Sequence, residues 1–147
     1  MEVCVSHTPD WASALTRARA EAPFLAAALE TMPELGETLA AGRIDEALAL
    51  ARAAGEGAPD TAVALRRERR ALALALAIGD LAGALSLARV MADLSAFADR
   101  ALDAAIAAAI EARVPDAEPV GFAAIALGKH GAQELNYSSD IDPILLY

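Results

Sequence analysis

The sequence has one cysteine, few aromatic residues and no long uncharged apolar run. The single Cys4 excludes an internal disulfide and a thiolate metal cluster, which fits a reducing cytoplasm. Aromatic residues make up 4% of the chain, too few for a platform that stacks single-stranded bases. No stretch of about 18 residues is apolar throughout, and the start lacks a basic segment followed by an apolar one. We therefore expect no membrane span and no signal peptide.

Positive charge is also scarce. The 147 residues contain 12 lysines and arginines against 21 acidic residues, a formal net charge of -9. Nucleic acid and anionic membranes are bound by basic surfaces, so we expect neither as a partner. A local exception is the cluster Arg66–Arg70, which is either a solvated helix face or a contact for phosphate or an acidic partner.

The first 114 residues are predicted to form helices. Thr8 is a candidate N-cap with Pro9 at the first helical position, and Pro23 is expected to end that helix. Gly42 and Gly55 are expected to follow two helix ends, and Asp60 to cap a later helix start. The predicted spans are about 9–22, 24–32, 33–41, 43–54, 61–78 and 81–114, the last with a break near Gly83 or Asp93.

The most regular pattern lies in the last of these helices. Apolar residues recur there at three- and four-residue spacing and predict one buried stripe. Its members are Leu94, Phe97, Ala98, Ala101, Leu102, Ala105, Ile106 and Ile110. Asp99, Arg100, Asp103 and Glu111 fall mostly on the other faces.

Pro115–Pro119 is predicted to be a hinge between a helical region (1–114) and the start of a second domain (120–147). Two apolar segments, 120–127 and 141–147, are predicted to be strands. Both are too apolar to have one face exposed to solvent, so we expect a sheet covered on both sides. Two strands rarely form a stable sheet alone, and we expect further strands and a covering helix from a downstream portion. The predicted fold class is α+β.

The segment between these strands has the residue types that suggest chemistry. Alternation along a strand would place Asp140 and Asp142 on one face, roughly 6.5 to 7 Å apart. Neighbouring carboxylates repel each other unless a cation lies between them, and Mg²⁺ or Mn²⁺ is the natural partner of such oxygens. The alternative is structural, with Asp140 capping a turn and Asp142 at a strand end.

Gly128 and Lys129 precede these acids by about ten residues. A glycine there lets the backbone approach a phosphate. This spacing resembles the signature of the DNA polymerase β nucleotidyltransferase superfamily. A Walker P-loop is not supported because the glycine spacing differs and His130 replaces the required Ser or Thr. A serine hydrolase is not supported either, because no histidine is placed as a base for Ser138 or Ser139.

The longer string GKHGAQELNYSSDID is similar to the N-terminal, adenylyl-removing nucleotidyltransferase domain of the bacterial glutamine synthetase adenylyltransferase family. Asn136, Tyr137 and Ser138 favour that copy over the adenylyl-attaching copy. The helical segments LRRERRALALALAIGDLAG and LSAFADRALDAAI are also similar to the family's helices ahead of its catalytic sheet. The resemblance covers residues 60–147 and is strongest over the last 27.

The resemblance implies an enzyme that removes AMP from glutamine synthetase by phosphorolysis, within a parent that also attaches it. Asp140 and Asp142 would be catalytic and hold Mg²⁺ or Mn²⁺, while Gly128, Lys129 and Ser139 would bind phosphate or nucleotide. ATP or ADP and inorganic phosphate would be co-substrates, and a PII signal protein a further partner. The family's third carboxylate lies on a later strand, so the chain alone is expected to be inactive.

Three positions depart from expectation, and other functions stay open. Lys129 stands where much of the polymerase β superfamily has Gly or Ser, although lysine is usual in the family that the string resembles. His130 stands where an apolar residue is expected, and we predict that it is solvated. Pro143 lacks an N–H, which restricts it to a strand start, an edge or an outward-facing position. Alternative functions are a uridylyltransferase acting on a PII protein, an antibiotic-modifying enzyme, and a non-catalytic helical interaction module.

Overall fold

A computed structural model describes residues 8–117 and 120–147. The chain divides into two compact units. One comprises Met1–Glu56 and Arg66–Ser86, and the other comprises Gly57–Leu65 and Leu87–Tyr147. Within the described residues there are seven helices and two strands, so the fold is α+β and mostly helical. The helix ends lie within about three residues of those predicted from the sequence, except that the last long helix begins at Leu87 and not near residue 81.

The first unit is helical. It contains α1 (Trp11–Glu21), α2 (Pro23–Thr31), α3 (Pro33–Ala40), α4 (Ile44–Ala53) and most of α5 (Thr61–Leu81). Its core consists of buried leucine and isoleucine side chains together with buried alanines. The largest of these side chains belong to Leu39, Leu48, Leu72, Leu74, Leu76 and Ile78.

Local residue chemistry sets the helix ends of this unit. Asp10, not Thr8, caps α1, because its carboxylate accepts a hydrogen bond of 2.9 Å from the Ser13 N–H. The prediction that Thr8 is the cap is therefore wrong by two residues. Pro23 and Pro33 each begin a new helix, where the missing N–H has no intrahelical acceptor to lose. Gly42 follows α3 with φ of +73°, as a C-terminal glycine should.

The second unit contains α6 (Leu87–Arg113), β1 (Ala123–Ala126), the short α7 (Gly128–Gly131) and β2 (Pro143–Leu146). It also holds the start of α5, where Asp60 accepts a 2.7 Å hydrogen bond from the Val63 N–H, so the predicted cap is confirmed. α6 runs unbroken through Asp93. Of the two predicted breaks, only the one near Gly83, which has φ of +74°, is present.

The predicted apolar stripe of α6 is confirmed for most of its members. Ala98 is buried, and Leu94, Phe97 and Leu102 are partly buried, whereas Ala105 is exposed. The four charged residues assigned to the other faces of the helix are all exposed. The stripe also contains a polar member that periodicity alone did not select, because Ser95 is fully buried.

The two strands form an antiparallel pair in the register Ala123↔Leu146, Ala124↔Leu145, Ile125↔Ile144 and Ala126↔Pro143. Both are shorter than predicted, and β2 begins at Pro143, which has no N–H to donate to the ladder. Asp140 and Asp142 therefore precede the strand and do not lie within it. That part of the prediction is wrong.

The described residues leave the apolar side chains of the strands partly uncovered, and the expected cover from a downstream portion stays a prediction. Ile125, Ile144, Leu145 and Leu146 are each nearly half exposed. The predicted hinge lies partly outside the described residues, because 118 and 119 are not described. The domain boundaries and the relationship to the polymerase β fold stay predictions. No helix in the described parts of the chain is long and apolar enough to cross a membrane.

Candidate nucleotidyl-transfer site

The antiparallel pairing of β1 and β2 brings the two halves of the sequence motif together. Ala126, the last residue of β1, pairs with Pro143, the first residue of β2. The residues that follow β1 therefore lie beside those that precede β2. This geometry explains how a glycine turn and a pair of acids separated by about ten residues reach one place.

A cavity of about 330 Å³ lies at this junction. Its walls are formed by one apolar residue and five polar or charged ones. They are Leu127, Lys129, Ser138, Ser139, Asp140 and Asp142. Four of the five site residues proposed from the sequence thus meet in a single cavity, and the fifth, Gly128, is adjacent in the chain but does not line it.

The turn that begins the site depends on two glycines. Gly128 has φ of +56°, a conformation that residues with a Cβ rarely adopt. At Gly131 a Cβ would lie 2.5 Å from the Ala126 carbonyl oxygen, which is backbone and has little freedom to move. The turn is closed by the hydrogen bonds Gly131 N–H to Leu127 O (3.1 Å) and Glu134 N–H to Lys129 O (2.8 Å). Lys129 itself is exposed.

A second turn, centred on Asn136, shapes the serine side of the cavity. The Asn136 side-chain oxygen accepts from the Ser138 N–H (3.0 Å) and from the Ser138 hydroxyl (3.2 Å). The Asn136 backbone exchanges hydrogen bonds with Ser139, donating to its hydroxyl (3.0 Å) and accepting from its N–H (3.2 Å). Asparagine suits this role because its amide can replace backbone partners in a tight turn. The hydroxyl of Ser139 is therefore fixed by the loop that carries Asp140.

Asp140 and Asp142 are both exposed, with no basic side chain paired to either among the described residues. Carboxylates that line a cavity without a paired cation present free oxygen ligands of the kind that Mg²⁺ and Mn²⁺ prefer. Within the described residues, no three or more His, Cys, Asp or Glu side chains are grouped as a metal site. The chain thus supplies two acids to the cavity.

His130 is buried, so the prediction that it is solvated is wrong. Only 1% of the residue is exposed, and its Nε2 lies 2.7 Å from Oδ1 of Asp99 on α6. A carboxylate can only accept, so Nε2 carries the proton of this hydrogen bond. Among the described residues Nδ1 is buried without a hydrogen-bond partner. The carboxylate partner explains why a polar ring occupies a position expected to be apolar.

Several residues at the site were not found from the sequence. Ser138 was not proposed as a wall of the cavity, although it follows directly from the Asn-x-Ser-Ser turn. Asp99 and Ser95 contact the loop from α6, and Ser95 Oγ lies 3.4 Å from the Leu135 N–H. These pairs are 31 and 40 residues apart in the chain, so no local pattern indicates them.

Comparison with known proteins decides the family. The family model described as glutamate-ammonia ligase adenylyltransferase matches residues 11–147. The chain belongs to this family. No solved structure matches the fold.

Curated relatives in the glutamate-ammonia ligase adenylyltransferase family agree with this assignment. Each is named a bifunctional glutamine synthetase adenylyltransferase/adenylyl-removing enzyme. The one from Xanthobacter autotrophicus is 47% identical over 95 residues, covering 57% of this chain and 10% of the relative. The one from Caulobacter vibrioides is 44% identical over 125 residues, covering 76% and 12%. The one from Mycobacterium marinum is 37% identical over 139 residues, covering 90% and 12%. The chain therefore spans about a tenth of the length of these relatives.

Proposed function

We propose that this chain forms the helical region and the first strands of a polymerase β-like nucleotidyltransferase domain that removes AMP from adenylylated glutamine synthetase. The relatives' names support glutamine synthetase as the substrate. The removing direction is supported by the string Asn136-Tyr137-Ser138, which is similar to the adenylyl-removing copy of the family motif. Control by a PII signal protein belongs to the same proposal.

One observation supports this function more than any other. Lys129, Ser139, Asp140 and Asp142 line the same cavity, although they come from both sides of the β1–β2 connection. A capping role for the acids would not require a lysine and a serine to share their cavity. Anion-binding and cation-binding groups side by side are what a phosphoryl-transfer site requires.

The donor set fits a divalent cation. Carboxylate oxygens from Asp140 and Asp142 are the hard ligands that Mg²⁺ and Mn²⁺ take, and no thiolate or imidazole lines the cavity. A cation held there would neutralise charge on the phosphoryl group during transfer. Since two acids alone leave coordination positions open, there is room for phosphate oxygens.

The reaction itself is a displacement at phosphorus. An oxygen of inorganic phosphate attacks the adenylyl phosphorus, the bond from phosphorus to the tyrosine oxygen breaks, and that oxygen takes up a proton. The products are ADP and an unmodified tyrosine. In this scheme the ammonium group of Lys129 attracts the incoming phosphate, and the hydroxyl of Ser139 contacts or orients it.

Cation binding by the chain tests this proposal. We expect Mn²⁺ to broaden the amide resonances of Lys129, Ser139 and the two acids before others in the spectrum. Loss of an outer-shell partner weakens metal binding by ~10- to 100-fold. Asp140→Asn and Asp142→Asn each remove a direct ligand, so we expect each to weaken Mn²⁺ binding by at least as much. Glu134→Gln is the matched control, because Glu134 is an exposed acid of the same loop that does not line the cavity.

The outcomes distinguish a catalytic cation site from a non-catalytic helical interaction module. If Asp140→Asn and Asp142→Asn bind Mn²⁺ as the unsubstituted chain does, the acids are structural and a helical interaction module becomes the better interpretation. If Glu134→Gln weakens binding as much as they do, the cation is held by diffuse charge and the site assignment is wrong.

A further inference from the structure

The loop that carries the candidate site is attached to α6 at two points. His130 Nε2 is 2.7 Å from Asp99 Oδ1, and the Leu135 N–H is 3.4 Å from Ser95 Oγ. Ser95 and Asp99 are four residues apart, so they lie one above the other on the same helix face. Gln133 adds a weaker contact of 3.5 Å to the second oxygen of Asp99. One helical turn of α6 therefore holds both ends of the segment 130–135.

Each attachment point is adjacent to a part of the cavity wall. His130 follows Lys129, which lines the cavity. Leu135 precedes Asn136, whose backbone and side chain hold Ser138 and Ser139. A displacement of the loop on α6 would move the lysine and the serines together, relative to Asp142, which directly precedes β2.

His130 and Asp99 differ in burial, and this difference indicates that their hydrogen bond orients the His130 ring. Asp99 is half exposed, so water can replace its partner at little cost. His130 is buried, so an unpaired Nε2–H would carry the full cost of desolvation. The hydrogen bond to Asp99 therefore favours the ring orientation in which Nε2 points at that carboxylate. A leucine there would fill the space without fixing a direction.

We propose that His130 is a positioning residue for the candidate site. Its hydrogen bond to Asp99, together with the contact between Ser95 and Leu135, fixes the 128–139 loop on α6 and so sets the placement of Lys129 and Ser139. The consequence for AMP removal rests on the proposed function, whereas the positioning itself does not.

The experiment compares His130→Leu, His130→Gln and Asp99→Ala in the whole chain, without any cation. His130→Leu and Asp99→Ala should speed amide hydrogen exchange at Gly131, Glu134 and Ser139 by about 10- to 100-fold, as expected for loss of one charge-assisted hydrogen bond. His130→Gln should keep most of the protection, because its amide can still donate to Asp99. Asp103→Ala is the control, an exposed acid one turn further along α6, and should have no effect.

A spectroscopic signature accompanies the exchange measurement. The chain has only one other histidine, at position 7. A slowly exchanging Nε2–H proton assigned to His130 should be present in the unsubstituted chain and absent in Asp99→Ala. This signal depends on the hydrogen bond and would not follow from packing of the ring alone.

Three results would overturn the proposal. One is unchanged loop exchange in His130→Leu, which would show that an apolar side chain serves equally well. The second is an equal effect of Asp99→Ala and Asp103→Ala. The third is a uniform loss of protection in both units of every variant, which would make His130 a residue of general stability. If the chain does not bind Mn²⁺ but the variants show the expected hydrogen-exchange pattern, the proposed function is wrong. The positioning role of His130 is then still supported.

Discussion

At the scale of single residues, the two glycines of α7 are needed for different reasons. Gly128 is required for its backbone conformation, because its φ is +56°. Space is not the reason, since no atom outside its neighbours lies within 4 Å of where a Cβ would be. Gly131 needs its lack of a side chain, since the Ala126 carbonyl oxygen occupies that space. The sequence alone does not distinguish these two requirements.

Substitution at Gly131 tests this difference. Gly131→Ala should destabilise the second unit by about 1–3 kcal/mol, the usual cost of forcing an extra methyl group into an occupied space. It should also shift the backbone resonances of Ala126. Gly128→Ala, which adds only backbone strain of about 1–2 kcal/mol, should leave Ala126 unshifted. Chemical denaturation with amide NMR measures both quantities, and a shift of Ala126 in the Gly128 variant would contradict the explanation.

At the scale of elements, the first unit depends on sharp junctions between short helices. The junction between α3 and α4 passes through Gly42, whose position for a Cβ is 3.1 Å from the Trp11 indole nitrogen. The chain therefore turns back directly against α1. A bulky or strained residue at this junction would disturb both the turn and the aromatic ring that packs on it.

Gly42→Ala is the corresponding variant. We expect it to cost the first unit about 1–2 kcal/mol through its left-handed φ, and more through contact with the ring. Because Trp11 is the only tryptophan, its fluorescence emission should shift as well. Gly57→Ala is matched in φ (+68°) but has open space around it, so it should carry only the strain and leave the emission unchanged. Equal emission shifts in the two variants would argue against a contact at Gly42.

At the scale of the whole molecule, the most unusual surface is the sheet. Ile144, Leu145 and Leu146 are nearly half exposed. Within the described residues their sheet has two strands, and each has one edge that pairs with no other described strand. Exposed apolar strands with free backbone groups favour association between chains. The first unit has no comparable strand among its described residues.

The chain should therefore associate at high concentration through this sheet. Leu146→Lys should reduce that association, because a charged side chain on an edge strand opposes pairing. Leu87→Lys is the control, since Leu87 is more exposed (67%) but lies at a helix start. Sedimentation velocity over a concentration series measures the effect. Equal behaviour of the two variants would indicate that general hydrophobicity, and not the sheet, causes association.

The helices and the grouping of the site were predictable because their signals are local. Proline, glycine and aspartate mark the helix ends, and the Gly128–Asp142 string contains the residues that line the cavity. The burial of His130 was not predictable, because it depends on Asp99, which is 31 residues away. The strand lengths were overestimated, because apolar content does not show where the hydrogen-bonded ladder between the strands begins. At β2, Pro143 determines that point.

The dependence of the loop on α6 has a consequence for protein engineering. Residues 121–147 look like a portable cassette, because they contain the whole sequence motif. On another scaffold without counterparts of Ser95 and Asp99, the segment would keep its sequence. It would lose the two hydrogen bonds that hold the loop in place. If the positioning proposal is correct, a transplant that preserves the placement of Lys129 and Ser139 has to include the turn of α6 that carries Ser95 and Asp99.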